Sequence, residues 1–232
     1  SYPPGEKFYD HFDLVTLEDP DFYPDGRDLG ENYTYTTWRL SPCVQSGQLD
    51  CIHCHTSSGR YRFMNENPNG ACMPCHKENV ANIYEHSHHP EEMGELECIS
   101  CHMPKTTFAR MDRSDHSMRP PMPATSKEFG SPNACNICHT DKDTIWADRW
   151  VRKWADHDYQ EKPLYHGKLL LKARTGDWSV LQHVVREVAT NQTGEVYTTS
   201  FLRILESCPD DRKWPAFISQ LNNPSPLVRS AA

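Results

Sequence analysis

Cysteine and histidine recur in one fixed pattern: Cys51-Ile-His-Cys54-His55, Cys72-Met-Pro-Cys75-His76, Cys98-Ile-Ser-Cys101-His102 and Cys135-Asn-Ile-Cys138-His139. Two thiols one helical turn apart can add to the two vinyl groups on one edge of a porphyrin. The His that follows then lies under the ring and gives an axial nitrogen to iron. This pentapeptide is the attachment sequence for c-type haem. The four copies absorb eight of the ten cysteines. Cys51, Cys54, Cys72, Cys75, Cys98, Cys101, Cys135 and Cys138 are therefore expected to bind four haem c groups, with His55, His76, His102 and His139 as proximal ligands.

Zinc is the competing chemistry. Cys51-x2-Cys54-x17-Cys72-x2-Cys75 fits the spacing of a four-cysteine zinc site. That template does not ask for a His directly after each second Cys, and all four motifs have one. The 33 residues between Cys101 and Cys135 are also long for a zinc ribbon. A disulfide-stapled secreted domain leaves the His equally unexplained.

The other face of each iron needs a sixth ligand. The remaining nine His are His11, His53, His86, His88, His89, His116, His157, His166 and His183, and seven Met are also present. A second His gives a low-spin iron at lower potential, whereas Met raises it. The surplus of His favours bis-His ligation, which leaves no vacancy for substrate and suits electron transfer. Three His within Glu85-His86-Ser87-His88-His89 make that cluster a prime source, although all three cannot ligate with ease.

Residues 98–139 resemble a multihaem module shared by ammonia-forming cytochrome c nitrite reductase and the hydroxylamine oxidoreductase group. The resemblance is carried by Cys98-Ile-Ser-Cys101-His102-Met103-Pro104-Lys105, Asp115-His116, Pro120 to Pro123 and Pro132-Asn-Ala-Cys135-Asn-Ile-Cys138-His139. Together with Tyr33 to Trp38 and His86 to His89, it covers about residues 1–155. It implies that His116 is the distal ligand of the first haem. It points to His88 or His89 for the last haem and His11 for the second, and for the third to a C-terminal His among His157, His166 and His183. His53, inside the first motif, is a candidate for a neighbouring haem in this subunit or another. Nitrite reductases of the group replace one motif His by Lys to open a catalytic haem. All four motifs here end in His, so the resemblance implies the scaffold and not the enzyme activity.

Composition limits the setting. Of 232 residues, 37% are hydrophobic, and the mean hydropathy is −0.77, with no stretch long enough to span a membrane. Four haems in so small a chain predict a haem-bearing part without an ordinary aliphatic core, the porphyrin faces supplying the apolar interior. Covalent haem attachment takes place outside the cytoplasm, so a periplasmic or extracellular protein is expected, with its signal peptide already removed before Ser1. The net charge of −8 argues against nucleic acid as a partner.

Residues 1–140 are expected to form a loop-rich, mainly α tetrahaem cytochrome domain with an extended N-terminal arm. Turns are predicted at Pro3-Pro4-Gly5, Pro24-Asp25-Gly26 and Ser41-Pro42. Phe8, Tyr9, Phe12, Tyr33, Tyr35 and Trp38 suit either haem faces or ordinary packing. Arg119 to Pro123 reads as a Pro-rich link. Residues 141–232 read as an α-helical segment. Thr140-x-x-Asp143 resembles a capping box, and Trp146, Trp150 and Trp154 form one stripe, better suited to packing on the haem domain than to an electron relay. Further helices are predicted at 164–175, 177–190, 195–207 and 214–221. Trp178 and Trp214 begin similar segments, and Asn223 to Ala232 resembles the opening of a HEAT-repeat helix. Such repeats need neighbours, which implies truncation at the C-terminus or support from elsewhere.

These features predict an electron carrier acting with redox partner proteins or extracellular acceptors. A homopolymer with inter-subunit haem contacts is a further expectation, since a heterologous contact that does not close makes a filament. The alternative is a nitrite- or hydroxylamine-type oxidoreductase with one open haem. Cys43 and Cys208 are left either to pair with each other, to pair across subunits or to remain buried thiols.

Overall fold

The computed structural model describes residues 4–7, 10–30, 34–63 and 67–232. Pro3, Phe8, Tyr9 and Tyr33 lie outside these. The chain is mainly α and loop-rich, as expected. Short helices come first: α1 (Thr34–Arg39), α2 (Pro42–Gln45), α3 (Cys51–Cys54), α4 (Lys77–Ala81), α5 (Ile83–Ser87) and α6 (Cys98–His102). A hairpin of β1 (Lys105–Phe108) and β2 (Met111–Ser114) follows, then α7 (Pro123–Phe129) and α8 (Ala134–Cys138). Longer helices complete the chain: α9 (Thr144–Trp154), α10 (Glu161–Arg174), α11 (Leu181–Ala189), α12 (Gly194–Glu206), α13 (Trp214–Gln220) and α14 (Pro226–Ala231).

The apolar core belongs to the C-terminal helices. α12 is buried on every side, with Val196, Tyr197, Phe201, Leu202 and Leu205 at its centre, as a helix enclosed by neighbours must be. Alternate helices stack: α10 on α12 on α14, and α11 on α13. Each fully buried Leu or Phe here contributes about 1.5–3 kcal/mol. α9 begins at Asp143, whose carboxylate accepts the Trp146 N–H at 2.7 Å, so the cap is Asp143 and not Thr140.

The N-terminal segment differs from an extended arm. Leu17 and Phe22 enter the C-terminal core, and Arg174 of α10 donates to the carbonyls of Leu17, Asp19 and Phe22. Arg203 of α12 binds Asp13, the Leu14 carbonyl and Glu18. Tyr197 Oη donates to the Pro24 carbonyl at 2.9 Å. Arginine forks thus satisfy a turn-rich segment that lacks backbone partners of its own. The Pro24-Asp25-Gly26 turn is present, with Gly26 at φ +88 and its N–H bonded to the Tyr23 carbonyl. α7 and α10 approach closely at Gly167, where a Cβ would fall 2.6 Å from the Phe129 ring.

In contrast, the middle of the chain has no core of its own. Between Phe22 and Met122 the buried apolar side chains among the described residues are those of Pro24 and Pro104 alone. From residue 51 to 103, Gly70 is the sole buried position among the described residues. A stretch this long cannot offset its conformational entropy without burying apolar surface. Something other than its own side chains must fill it.

Candidate haem centres

Each motif closes one helical turn. The N–H groups of His55, His76 and His139 donate to the carbonyls of Cys51, Cys72 and Cys135 at 3.0, 2.8 and 2.9 Å, and α6 spans the third motif entirely. Caps fix these turns. Asp50 accepts from His53 N at 3.0 Å, Asn133 from Cys135 N at 3.2 Å, and Asn69 from Cys98 N at 2.8 Å. The two thiols of each motif are thereby set one turn apart, as thioether formation with one porphyrin edge requires.

Three of the four motif His face a second His. The ring centroids of His55 and His116 are 6.2 Å apart, those of His86 and His102 are 6.1 Å apart and nearly parallel at 10°, and those of His89 and His139 are 6.1 Å apart. A ring nitrogen sits about 1.1 Å from its ring centre and binds a metal at about 2.0 Å, so two imidazoles on opposite faces of one ion have centroids about 6.2 Å apart. The pairs therefore fit a haem iron between them.

Backbone carbonyls orient the rings. His55 Nδ1 bonds the Gly59 carbonyl at 3.0 Å, His89 Nδ1 that of Ser87 at 2.8 Å, and His116 Nδ1 that of Ser114 at 2.8 Å. A donor at Nδ1 leaves Nε2 with the lone pair a metal needs. Burial pulls the pKa of His86, His102 and His116 down, helped by a nearby His in each case. Neutral imidazole, the ligating form, is favoured.

The cluster at residues 86–89 divides its His between two partners. His86, on α5, faces His102 of the third motif, whereas His89 faces His139 of the fourth. Between them His88 caps α5 at φ 57 in the left-handed region, which turns the chain so that successive His diverge. His88 itself stacks on Trp154 at 4.4 Å and 16°. At the other end of α9, Trp146 lies 4.7 Å from His139, and Trp150 bridges the two Trp. The stripe thus forms a wall beside the His89–His139 pair, while Ala147 and Val151 are buried on α9.

A solved structure is similar. The crystal structure of the outer cell wall cytochrome OcwA matches 99% of this chain at 15% identity and a TM-score of 0.45. The chain covers 57% of that protein, little more than half its length. No family model and no curated protein matches the chain.

The remaining candidates lie elsewhere. No described ring contact joins His76 to another His. His11 meets Glu6 and Phe12, and His53 Nε2 bonds the Ala71 carbonyl at 2.9 Å. The C-terminal His expected for the third motif are not beside it. His166 is buried against Glu187 at 3.1 Å, His183 meets Tyr165, and His157 meets Tyr159. Cys43 and Cys208 are both free thiols, so they do not pair with each other. Tyr35 and Trp38 stack on each other.

Thiols of successive motifs are close. Cys98 hydrogen-bonds Cys72, which holds the Cys72 thiol down to about 7 and pushes Cys98 up. Cys101 and Cys135 are each pushed up by burial and by the charge of a thiol in the partner motif, Cys138 and Cys101 respectively. Motif two therefore adjoins motif three, and motif three adjoins motif four.

Proposed function

We propose that this chain is an exported electron carrier in which four covalently attached haems, most with two His ligands, pass electrons along the molecule. The observation that carries the proposal is the set of three His–His pairs at the spacing of an iron, each joining a Cys-x-x-Cys-His motif to a His from elsewhere. The coreless stretch from residue 51 to 103 supports it, because bulky apolar cofactors supply the missing interior. When bound, haem contributes an iron that changes oxidation state by one electron.

The chain's own residues do the rest. Eight thiols would hold the haems, the three His pairs would supply iron ligands for three of them, and carbonyls set the ring tautomers. Irons held between two His at three of the four motifs would have no room for substrate, which supports a carrier over a catalyst there. The adjacency of thiols from motifs two to three and three to four supports a continuous path. Residues 1–140 act as the haem-bearing domain, and the HEAT-like segment 141–232 as a docking surface for redox proteins or extracellular acceptors.

One observation favours a second reading. His76 has no facing His among the described residues, so the second motif is where a sixth ligand is in question. A His from a second copy there would link subunits into a filament, and an exchangeable ligand would make an oxidoreductase with one open haem. Mass spectrometry after denaturation should show four added haems, and zinc in their place overturns the proposal. Carbon monoxide then separates the variants: no binding by the reduced protein supports the carrier, and one equivalent supports the open haem. Electron microscopy of native material shows whether the protein polymerises.

A further inference from the structure

Asp25, Arg27, Asp115 and Arg119 are buried together, with the buried Asp28 beside Asp115. Relative exposure is 0% for Asp25, 1% for Arg27, 4% for Asp115 and 8% for Arg119. Arg27 donates from Nη1 to Asp25 Oδ2 at 2.8 Å and from Nε to Asp115 Oδ2 at 3.0 Å. Arg119 donates from Nη1 to the Asp25 carbonyl and from Nε to Ser117 Oγ, both at 2.9 Å. Thr125 and Ser131 hydroxyls complete Asp25 at 2.8 and 2.7 Å. Burial opposes these charges, yet the two arginines and two hydroxyls keep the Asp25 carboxyl below its ordinary range.

Burying such charges is seldom a good route to stability, since desolvation offsets most of the attraction. Arg119 Nη2 is buried with no protein partner at all, a further cost. What the cluster does hold is the segment from Asp115 to Arg119. Asp115 precedes His116, and its carboxylate also accepts Ser117 N at 2.8 Å and Ser117 Oγ at 2.8 Å. Met118 sits at φ 49, a strained conformation for a side-chain-bearing residue that persists only where its surroundings over-determine it. The backbone of Arg119 and Met118 in turn lies beside the His102 ring.

We propose that the Asp25–Arg27–Asp115–Arg119 cluster is a positioning device for two axial ligands at once. It clamps the strained 115–119 segment so that His116 faces His55 while the backbone of Met118 and Arg119 stays beside His102. The device rests on the haem reading above. It joins the ligand set of the first motif to that of the third through one rigid buried unit, anchored on the Pro24-Asp25-Gly26 turn.

The test is Arg27→Met, which preserves bulk and removes the fork, compared with Arg27→Lys and with Arg203→Met. Arg203 anchors residues 13–18 and bonds no motif residue, so it reports loss of stability alone. Arg27→Met should retain four covalent haems by mass while one haem in four turns high-spin by electron paramagnetic resonance. The midpoint potentials of two haems should shift, and Arg27→Lys should restore part of the low-spin signal. Arg203→Met should lower the thermal midpoint and leave spin states and potentials unchanged. If Arg27→Met does not accumulate, Ser117→Ala gives a milder version of the same shifts. Four haems with unaltered spin states and potentials in the Arg27 variant, or in Ser117→Ala where that stands in for it, overturn this inference alone. An unaltered protein without covalent haem overturns the underlying reading with it.

Discussion

Replacing His86 by Ala tests the pairing most sharply, because the sequence favoured a C-terminal His for the third motif and the structure puts His86 there instead. Its ring faces His102 at 6.1 Å and 10°. Loss of that imidazole leaves the third motif with His102 alone, while the thiols that hold the cofactor are untouched. With four motifs in the chain, one quarter of the haem should become high-spin, and the reduced protein should bind one more equivalent of carbon monoxide than the parent. Mass should still show four haems. The gap left is the size of the missing ring, so added imidazole should return the low-spin spectrum. His89→Ala should do the same for the fourth motif, and the double variant should convert half of the haem. His88→Ala removes only the stack on Trp154 and should cost about 0.5–1.5 kcal/mol of stability without a spin change. A fully low-spin His86→Ala protein, or a high-spin signal from His166→Ala, would refute the pairing.

Three further outcomes are expected. Asp28 is pushed up to about 6 by burial and by Asp115, partly offset by the Thr37 hydroxyl and Arg113. Its native form therefore binds its proton more tightly than the unfolded chain does, so stability falls as pH rises from about 4 to about 6, by up to about 3 kcal/mol. Denaturant titrations of Asp28→Asn should lack that fall. Gly167→Val drives a side chain into the Phe129 ring and the Pro24 carbonyl, and should lower stability by about 1–3 kcal/mol by thermal melting. Since Cys43 and Cys208 do not pair with each other, reductant should not change the melting temperature of the monomer, and with eight thiols in thioethers a thiol reagent should label at most these two after denaturation.

Local spacing made the motif turns and the long helices legible. The helices predicted at 164–175, 177–190, 195–207 and 214–221 correspond to α10, α11 with the turn before it, α12 and α13, because Leu, Val and Trp recur there with helical period. The hairpin left no such trace. Its turn is Ala109-Arg110, both at positive φ, where Asn-Gly would ordinarily announce it. α7 was hidden in a Pro-rich stretch, since Pro123 opens the helix at a position where its missing N–H costs nothing. The burial of residues 14–30 depends on Arg174 and Arg203, whose forks arrive from more than a hundred residues away. Distal pairing is likewise tertiary. Spacing alone does not reveal that His86 and His89 point apart, because that follows from the backbone at His88.

The joining of residues 13–24 to α10 and α12 also sets an order of events for biogenesis. The two segments that make the core flank the motif-bearing stretch, so that stretch becomes a closed loop when they meet. Closing a loop of this length is slow and entropically opposed, and the stretch has no apolar interior to draw it together. Each haem attached to it, as proposed above, would shorten the free length and bring its flanks nearer. On that reading maturation would act as a checkpoint: a chain that missed an attachment would keep a slack, solvent-exposed loop, open to proteases that act on unfolded segments. Cofactor loading and survival of the polypeptide would then be one and the same selection.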